Sequence, residues 1–268
     1  MIKSPLRYPG GKSRAIKQIA PLIPSHQAYR EPFLGGGSVL LTQKQMFPDR
    51  TYWVNDLYDD LYHFWMASRD QLVDLVVQVE QWKTEFKDGK ALHRFLVAGI
   101  TDFSPLQKAA AFFVLNRITF SGTIQSGGYS KQAFEKRFTT SSIHRLRALE
   151  GILKTTKITN LDYEKVVLAE GENVFIFLDP PYYAASKSGL YGKKGSLHKS
   201  FDHERFARIM QACPHQWLIT YDNSDYIREL FHFAYIKTWN ITYGMRNVVG
   251  SEVRQQASEL FIANYPIG

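Results

Sequence analysis

An uncharged run of six residues, Asn173–Leu178, is followed directly by Asp179-Pro180-Pro181-Tyr182. β-Branched and aromatic side chains dominate the run, which predicts a strand buried on both faces of a sheet. The two prolines end this strand, because proline has no N–H for a sheet ladder and restricts the preceding residue to an extended conformation. A carboxylate, a carbonyl and an aromatic ring are therefore expected at the carboxyl end of a central strand, where open α/β sheets bind ligands.

Those three groups suit an exocyclic amino group on a flat ring, which needs two hydrogen-bond acceptors and a π face for stacking. The alternative is a strand that merely ends in a proline turn. Other short apolar segments predict further strands, and their alternation with helices indicates the α/β class with a mostly parallel sheet. These strands are Thr51–Val54, Lys157–Asn160, Trp217–Tyr221, Tyr235–Tyr243 and Glu259–Asn264.

The helical stretch 57–153 interrupts this alternation, so we expect it to form a second domain beside a main domain of residues 1–56 and 154–268. Between positions 117 and 142 helical periodicity fails, and glycine, serine, threonine and basic residues predominate, which predicts a recognition loop or a small subdomain. The predicted helices of the stretch are Leu72–Phe86, Leu106–Asn116 and Ile143–Leu153.

Hydrophobic residues make up 44% of the 268 residues, which supports a substantial core. No apolar run approaches the ~20 residues of a membrane span, and no signal-peptide pattern begins the chain. Cys213 is the single cysteine and the eight histidines are scattered, so we expect neither a disulfide nor a bound metal. These observations predict a soluble, cytoplasmic protein.

The net charge of +8 is concentrated in two segments. Residues 117–147 carry +5 and residues 187–199 carry +4, so the remainder is nearly neutral. Charge confined in this way is typical of proteins that bind a polyanion. Two solvated basic loops are the alternative.

Three consecutive glycines, Gly35–Gly37, allow close approach of the backbone to a ligand. A dinucleotide fingerprint would need glycine at Leu40, so NAD and FAD are disfavoured. Asp56 follows about 20 residues later at the end of a predicted strand, where a carboxylate accepts hydrogen bonds from ribose hydroxyls. This combination predicts a nucleoside ligand without a pyrophosphate.

The segment Tyr8-Pro9-Gly10-Gly11-Lys12-Ser13 invites comparison with a phosphate-binding loop. That motif would need glycine at Leu6 and a preceding strand, so an NTPase is disfavoured. Either the segment is a tight turn that brings Tyr8 and Lys12 over a ligand, or it is an N-terminal loop before a helix.

In their order along the chain, these segments resemble the motifs of the Dam-type, D12 class of DNA adenine-N6 methyltransferases. The resemblance spans nearly the whole sequence. It implies a Rossmann-like methyltransferase sheet that uses S-adenosylmethionine and releases S-adenosylhomocysteine without a metal, with 57–153 as a helical target-recognition domain. We expect a monomer that acts on DNA. The matching segments are Tyr8–Lys12, Glu31–Ser38, Asp56, Leu115–Arg117, Asp179–Tyr182 and Ser258–Ile262.

The resemblance also implies roles for individual residues. Asp179, Pro180 and Tyr182 match the catalytic motif: the carboxylate and the carbonyl accept the two N6–H bonds of a flipped adenine, and the ring stacks on the base. The cofactor contacts implied are Tyr8, Lys12, Phe33, Gly35, Gly37, Asp56, Asp162 and Asp179.

DNA contacts are implied for the recognition region and the second basic segment. Phe120 keeps the aromatic character of a wedge residue, whereas Thr123 and Gln125 stand where readers of GATC place leucine and arginine. Because glutamine suits adenine and arginine suits guanine, we expect a recognition site other than simply GATC. The residues implied to contact DNA are Arg117, Phe120, Thr123, Gln125, Lys131, Arg137, Lys193 and Lys194.

Three other functions fit parts of the sequence. Methylation of cytosine N4 or of RNA remains open, although Asp179 favours adenine. A non-catalytic DNA-binding module is the third, and the intact glycine loop, Asp56 and catalytic segment argue against it. Whether the enzyme serves with a restriction endonuclease, in a phage or alone does not follow from the sequence.

Overall fold

The computed structural model describes residues 1–120, 128–183, 201–242 and 256–268. Within them, one seven-stranded sheet has the order β3-β2-β1-β4-β5-β7-β6. Strands β1 to β5 are mutually parallel, and β7 is antiparallel to both of its neighbours. The bounds are β1 Ala28–Glu31, β2 Thr51–Asn55, β3 Thr156–Thr159, β4 Val174–Leu178, β5 Gln216–Asp222, β6 Tyr235–Thr242 and β7 Gln256–Ala263.

Helices precede, follow and connect these strands, and short 3₁₀ turns lie at Lys12–Arg14 and Ala20–Leu22. In the described part of the chain, no helix is long and apolar enough to cross a membrane. The helix bounds are α1 Ile16–Ile19, α2 Ser38–Met46, α3 Asp59–Asp70, α4 Leu72–Glu85, α5 Gly89–Gly99, α6 Pro105–Ile118, α7 Lys131–Arg137, α8 Thr140–Arg147, α9 Tyr163–Val167, α10 His203–Ala212 and α11 Asp225–Leu230.

The α/β class and the strand before Asp179 are confirmed. All five residues of β4 are buried, as expected for a strand covered on both faces. Phe175 and Phe177 pack into the core on one side of the sheet, and Ile176 and Leu178 pack into the core on the other. The segment Asp179–Tyr182 therefore follows one of the most buried strands in the fold.

Sequence reasoning missed the strand β1, which lies at the centre of the sheet. β1 was not predicted because it contains Arg30 and Glu31, and charged residues rarely occupy a buried strand. Arg30 is buried because its guanidinium donates to the backbone carbonyls of Val166, Ala169 and Glu170. Glu31 accepts a 2.7 Å hydrogen bond from the Tyr29 hydroxyl.

Two predictions near position 140 also differ from the structure, one of a loop and one of a helix. Helix α7 lies inside a stretch predicted to lack periodic structure, and Ser130 caps it by accepting from the Ala133 amide. Helix α8 begins at Thr140, where Thr139 caps it, and ends at Arg147 rather than extending to Leu153. Side-chain caps fix both helix starts, whereas apolar spacing alone placed the second start three residues late.

The helical stretch shares its core with one side of the sheet. Phe64 and Trp65 of α3 and Phe112 of α6 belong to the same buried cluster as Tyr29 and Phe175 of the sheet. Helix α6 begins with a capping box between Ser104 and Gln107. The division into domains at 57–153 stays a prediction.

The strand order reverses between β1 and β4. From β1 the sheet extends through β2 to β3, and from β4 it extends in the opposite direction through β5. Adjacent parallel strands whose connections leave in opposite directions open a crevice at their carboxyl ends, where α/β proteins bind ligands. Here those ends are Glu31 and Leu178. The glycine loop, Gly35–Gly37, and the segment Asp179–Tyr182 therefore both follow strands that end at this crevice.

Candidate active site

Asp179 lies at the mouth of the crevice with its carboxylate held from two sides. The Thr220 hydroxyl on β5 donates to Oδ1 over 2.8 Å. The Lys12 ammonium lies 2.7 Å from Oδ1 and 2.8 Å from Oδ2. Lys12 is 4% exposed and the Asp179 side chain 22% exposed, so this ion pair is largely shielded from water.

The N-terminal segment forms the tight turn that would bring Lys12 to the site. The Gly11 amide donates to the Tyr8 carbonyl over 3.0 Å, and Gly10 has a φ of +70°. The Lys12 ammonium also donates to the Gly10 carbonyl over 2.9 Å. The turn thus presents Lys12 to Asp179, although the sequence had implied a contact with the cofactor.

The bound carboxylate keeps acceptor capacity. Two carboxylate oxygens offer about four lone-pair sites. Thr220 uses one site on Oδ1, and Lys12 occupies the region between the two oxygens. With respect to the residues that the structure describes, Oδ2 of Asp179 therefore retains a position for a further N–H donor.

Tyr182 is fixed at both ends of its side chain. Its hydroxyl donates to Oε2 of Glu259 on β7 over 2.8 Å. The Lys12 ammonium lies 4.9 Å from the centroid of the Tyr182 ring. Burial, and then the negative charges of Asp179 and Glu259, raise the pKa of Tyr182 well above its usual value. The phenol therefore stays protonated and acts as a donor.

The residue that follows the segment Asp179–Tyr182 is anchored to β5. The Tyr183 amide donates to Oδ1 of Asp222 over 2.7 Å. The Tyr183 ring packs on Tyr226 at 4.5 Å between centroids. Backbone and ring contacts thus determine where the chain leaves Tyr182.

The glycine loop is shaped by protein contacts. Gly35 and Gly37 have φ angles of +48° and +64°, in the left-handed region that favours glycine. A Cβ on Gly36 would lie 2.8 Å from the Tyr8 Cβ, and one on Gly37 would lie 2.8 Å from the Trp65 ring. The glycines therefore admit Tyr8 and Trp65, a reason for their presence that the sequence did not reveal.

Asp56 joins the glycine loop to the end of β2. Its carboxylate accepts from the Gly35 amide over 2.8 Å and from the Tyr58 amide over 3.0 Å. Burial raises the pKa of Asp56 to about 6, although both hydrogen bonds oppose this shift. Asp56 lies beside the loop as its spacing predicted, and its contact with a ribose stays a prediction.

Asp162 and Phe33 lie near the same edge of the sheet. Asp162 caps α9 through the Glu164 amide and forms two 3.0 Å hydrogen bonds with the Arg205 guanidinium. Phe33 packs against Tyr163 at 5.3 Å between ring centroids. An aromatic and acidic wall therefore follows the carboxyl end of β1.

The residues implied to contact DNA differ in their exposure to solvent, and some of them lie outside the described residues. Phe120 is 61% exposed, and its amide donates to the Gly128 carbonyl over 3.2 Å. Lys131 and Arg137 are exposed on α7, whereas Arg117 is buried near the end of α6. Outside the described residues lie Thr123, Gln125, Lys193 and Lys194.

Arg117 lies within a group of arginines. Its Nε has no hydrogen-bond partner among the residues that the structure describes, and its Cζ lies 5.3 Å from the Phe113 ring centroid. Burial lowers the pKa of Arg117 to about 9, with smaller contributions from the positive charges of Arg145, Arg7 and Arg137. Sequence reasoning did not assign Arg7 or Arg145 to this site, because they lie far from Arg117 along the chain.

Arg7 is also attached to α6 through its backbone. The Arg7 amide donates to Oδ1 of Asn116 over 2.9 Å, and Nδ2 of Asn116 donates back to the Arg7 carbonyl over 3.0 Å. Asn116 is completely buried. One carboxamide therefore links the segment that carries Lys12 to the helix that carries Arg117.

Residues 8–245 match the model of the D12 class N6 adenine-specific DNA methyltransferases. The chain belongs to this family. Its members methylate adenine N6 in DNA with S-adenosylmethionine, so the reaction that the motif order implied is confirmed.

Named relatives agree with the family assignment. The DNA N-6-adenine-methyltransferase of Escherichia phage P1 is 25% identical over 86% of this chain, which spans 31% of that protein. The type II methyltransferase M.MjaIII of Methanocaldococcus jannaschii is 23% identical over 98% of this chain and 99% of its own length. The type II methyltransferase M1.LlaDCHI of Lactococcus lactis subsp. cremoris is 25% identical over 76% of this chain and 73% of its own.

Proposed function

We propose that adenine N6 receives its methyl group at Asp179, with Pro180 and Tyr182 completing the pocket. The observation that carries this proposal is the position of the Asp179 carboxylate, which Lys12 and Thr220 hold at the reversal point of the strand order. Preorganised acceptors of this kind stabilise charge that develops in a transition state.

The chemistry requires help because the N6 lone pair is delocalised into the adenine ring. When bound, S-adenosylmethionine supplies an electrophilic methyl group. The N6 lone pair would form the new N–C bond as the C–S bond breaks, the neutral thioether S-adenosylhomocysteine would leave, and the surplus N6 proton would pass to water. Oδ2 of Asp179 and the Pro180 carbonyl accept the two N6–H bonds, so they stabilise the positive charge that grows on nitrogen.

The crevice suits the cofactor on three counts. The glycine loop begins where β1 ends, Asp56 lies against that loop, and the wall formed by Phe33 and Asp162 offers an aromatic face and a carboxylate. We assign the ribose to Asp56 and the adenine of the cofactor to the neighbourhood of Phe33 and Asp162. Tyr8 packs against the same loop and supports its conformation.

The arginine group around Arg117 is assigned to the DNA backbone. A buried guanidinium beside three further arginines is stabilised by an anion, and a phosphate offers matching oxygen acceptors. Phe120, exposed next to this group, is assigned as the wedge that fills the gap left by the flipped base. Residues 117–140 would then set the sequence preference, with Lys131, Lys193 and Lys194 adding contacts to phosphates.

The biological setting is proposed from the relatives. Two of them are named type II methyltransferases, so we propose that this monomeric enzyme protects DNA in the cytoplasm of a bacterium or a phage-infected cell. A cognate endonuclease would be its functional partner. Protection of the host DNA from cleavage at the methylated sequence would support this setting.

The test is methylation of a randomised duplex library, read by long-read sequencing. Wild-type protein should modify adenine within one sequence context, and Asp179→Ala should lower the rate by at least about 100- to 1000-fold. Asp225→Ala, on the surface of α11, is the matched control and should act as wild type. Appreciable turnover by Asp179→Ala would refute the catalytic assignment, and methylation confined to GATC would refute the expected specificity.

A further inference from the structure

Glu259 is a charged residue in the middle of a buried strand. In β7 it is 2% exposed, next to the apolar sequence Leu260–Ala263. Its register partners are Asp222 on β5 and Trp239 on β6. A buried carboxylate is unfavourable unless it is paired, and an apolar residue would stabilise the same position better. The residue type therefore indicates a role beyond packing.

Glu259 accepts a hydrogen bond from the segment Asp179–Tyr182. The Tyr182 hydroxyl donates to its Oε2 over 2.8 Å, across 77 residues of sequence. The same Tyr182 ring lies 4.9 Å from the Lys12 ammonium, which binds Asp179. Glu259 thus contacts the proposed pocket from β7, through a ring that is already part of it.

We propose that Glu259 is a positioning residue for methyl transfer, which holds the Tyr182 ring in the orientation that aligns the target adenine. This inference rests on the proposed role of Tyr182. Glu259 does not touch the base. It restricts rotation of the phenol by accepting its hydroxyl hydrogen, and an ionised acceptor makes this hydrogen bond stronger than a neutral one does.

The proposal predicts a dependence on pH. The charged and titratable groups that face Glu259 are Lys12 on the N-terminal segment, Asp179 and Tyr182 after β4, and Asp222 on β5. Burial raises the pKa of Glu259 to about 7; Lys12 and the Tyr182 hydrogen bond oppose this shift, and Asp179 and Asp222 add to it. Glu259 is ionised above this pH, so the ring is held more weakly as the pH falls through about 7.

The experiment compares Glu259→Gln, Tyr182→Phe and the double variant with wild type, by steady-state kinetics from pH 6 to pH 9. Gln keeps the size and an acceptor but cannot ionise, and Phe keeps the ring but removes the donor. We expect each single variant to lower kcat about tenfold at high pH, with KM for DNA and for S-adenosylmethionine changed less than about twofold. The loss of kcat toward pH 6 that this group causes should disappear in both.

The kcat of the double variant should be no lower than that of the less active single variant, because both substitutions remove the same hydrogen bond. Glu229→Gln, exposed on α11, is the matched control and should keep the wild-type profile. A Glu259→Gln protein with wild-type kcat and pH profile would overturn the inference, as would multiplicative losses in the double variant. If Glu259→Gln does not fold, a wild-type acid limb in Tyr182→Phe would overturn it equally. Turnover by Asp179→Ala would instead refute the active site itself.

Discussion

The crevice and the end of helix α6 treat buried charge in opposite ways. At the crevice Lys12 is 4% exposed and its ammonium binds both oxygens of Asp179. At the end of α6 the Arg117 guanidinium is 3% exposed, and the charges that act on its pKa come from other arginines. Within the described part of the chain, the first region pairs its buried cation with a carboxylate, and the second leaves the Arg117 Nε without a hydrogen-bond partner.

The difference fits the two tasks that we propose for these regions. A catalytic carboxylate must keep a fixed position before the substrate arrives, and an internal ion pair with additional hydrogen bonds provides this. A surface that binds a polyanion gains from a cation that is paired only in the complex, because the free protein does not then lose an internal partner. Stability and catalytic rate should therefore change together at Lys12, whereas stability and DNA binding should change separately at Arg117.

The largest effect is expected for Lys12→Met, which keeps the aliphatic stem and removes the charge. Asp179 would keep Thr220 but lose its cation, so we expect the free energy of unfolding to fall by about 2 kcal/mol, less than the ~3–5 of a fully buried pair because the Asp179 side chain is 22% exposed. kcat should fall by about 100-fold. Urea unfolding and steady-state kinetics measure the two quantities. Lys17→Met, exposed on α1, is the control, and a stable but inactive Lys12→Met would show that the pair serves catalysis alone.

An effect of intermediate size is expected for Arg117→Met, in which DNA affinity changes and the free energy of unfolding does not fall with it. DNA affinity should fall about tenfold and the slope of log affinity against log salt should decrease by about 1. The free energy of unfolding should stay within about 1 kcal/mol of wild type or rise, because an incompletely paired buried cation is replaced by an apolar side chain. Fluorescence anisotropy in a salt series measures binding, with Arg94→Met on α5 as the control. A large loss of stability would mean that Arg117 has a strong internal partner.

The pH dependence of the same variant sharpens this comparison. Because the pKa of Arg117 is lowered to about 9 in the folded protein, the folded state binds this proton less tightly than the unfolded state does. Its unfavourable contribution is therefore complete well below pH 9 and decreases as the pH rises through the folded-state value. Wild-type protein should gain stability relative to Arg117→Met as the pH rises from 8 to 10, in urea unfolding at each pH. A constant difference would contradict the lowered pKa.

The smallest effect is expected for Lys131→Met on the exposed face of α7. Lys131 is 81% exposed and lies 3.8 Å from Glu135, so the free energy of unfolding should change by less than about 0.5 kcal/mol. DNA affinity should fall by less than about threefold and equally on all sequences, because a phosphate contact carries no base information. A changed sequence preference in the library assay would show instead that Lys131 contacts a base.

Local pattern predicted the elements whose burial and side chains agree. β4 has only apolar residues and two prolines behind it, so both its position and the chemistry at its end followed from the sequence. β1 is the neighbour of β4 in the sheet, yet its Arg30 and Glu31 are residue types typical of a loop. They are accommodated only when the carbonyls of Val166 and Ala169 and the Tyr29 hydroxyl are in place. Such partners come from distant parts of the chain, and a local pattern does not contain them.

The same limit applies at the site. The motif order placed Lys12, the glycine loop, Asp56 and Asp179 in one crevice, because carboxyl ends of parallel strands meet at one edge. The pairing of Lys12 with Asp179 spans 167 residues, and a motif does not specify which neighbour a lysine contacts. Likewise, the glycines predicted a close approach, but only the fold shows that Tyr8 and Trp65 make it.

The Asn116 carboxamide has a mechanical consequence. It accepts a hydrogen bond from the Arg7 amide and donates one to the Arg7 carbonyl, as a neighbouring strand would. The backbone at Arg7 is therefore clamped to the end of α6 at two points. Lys12 lies five residues beyond this clamp, and Arg117 lies one residue beyond it on the helix. A displacement of the end of α6 would therefore move Arg7 as well, and only five residues separate Arg7 from the lysine that binds Asp179.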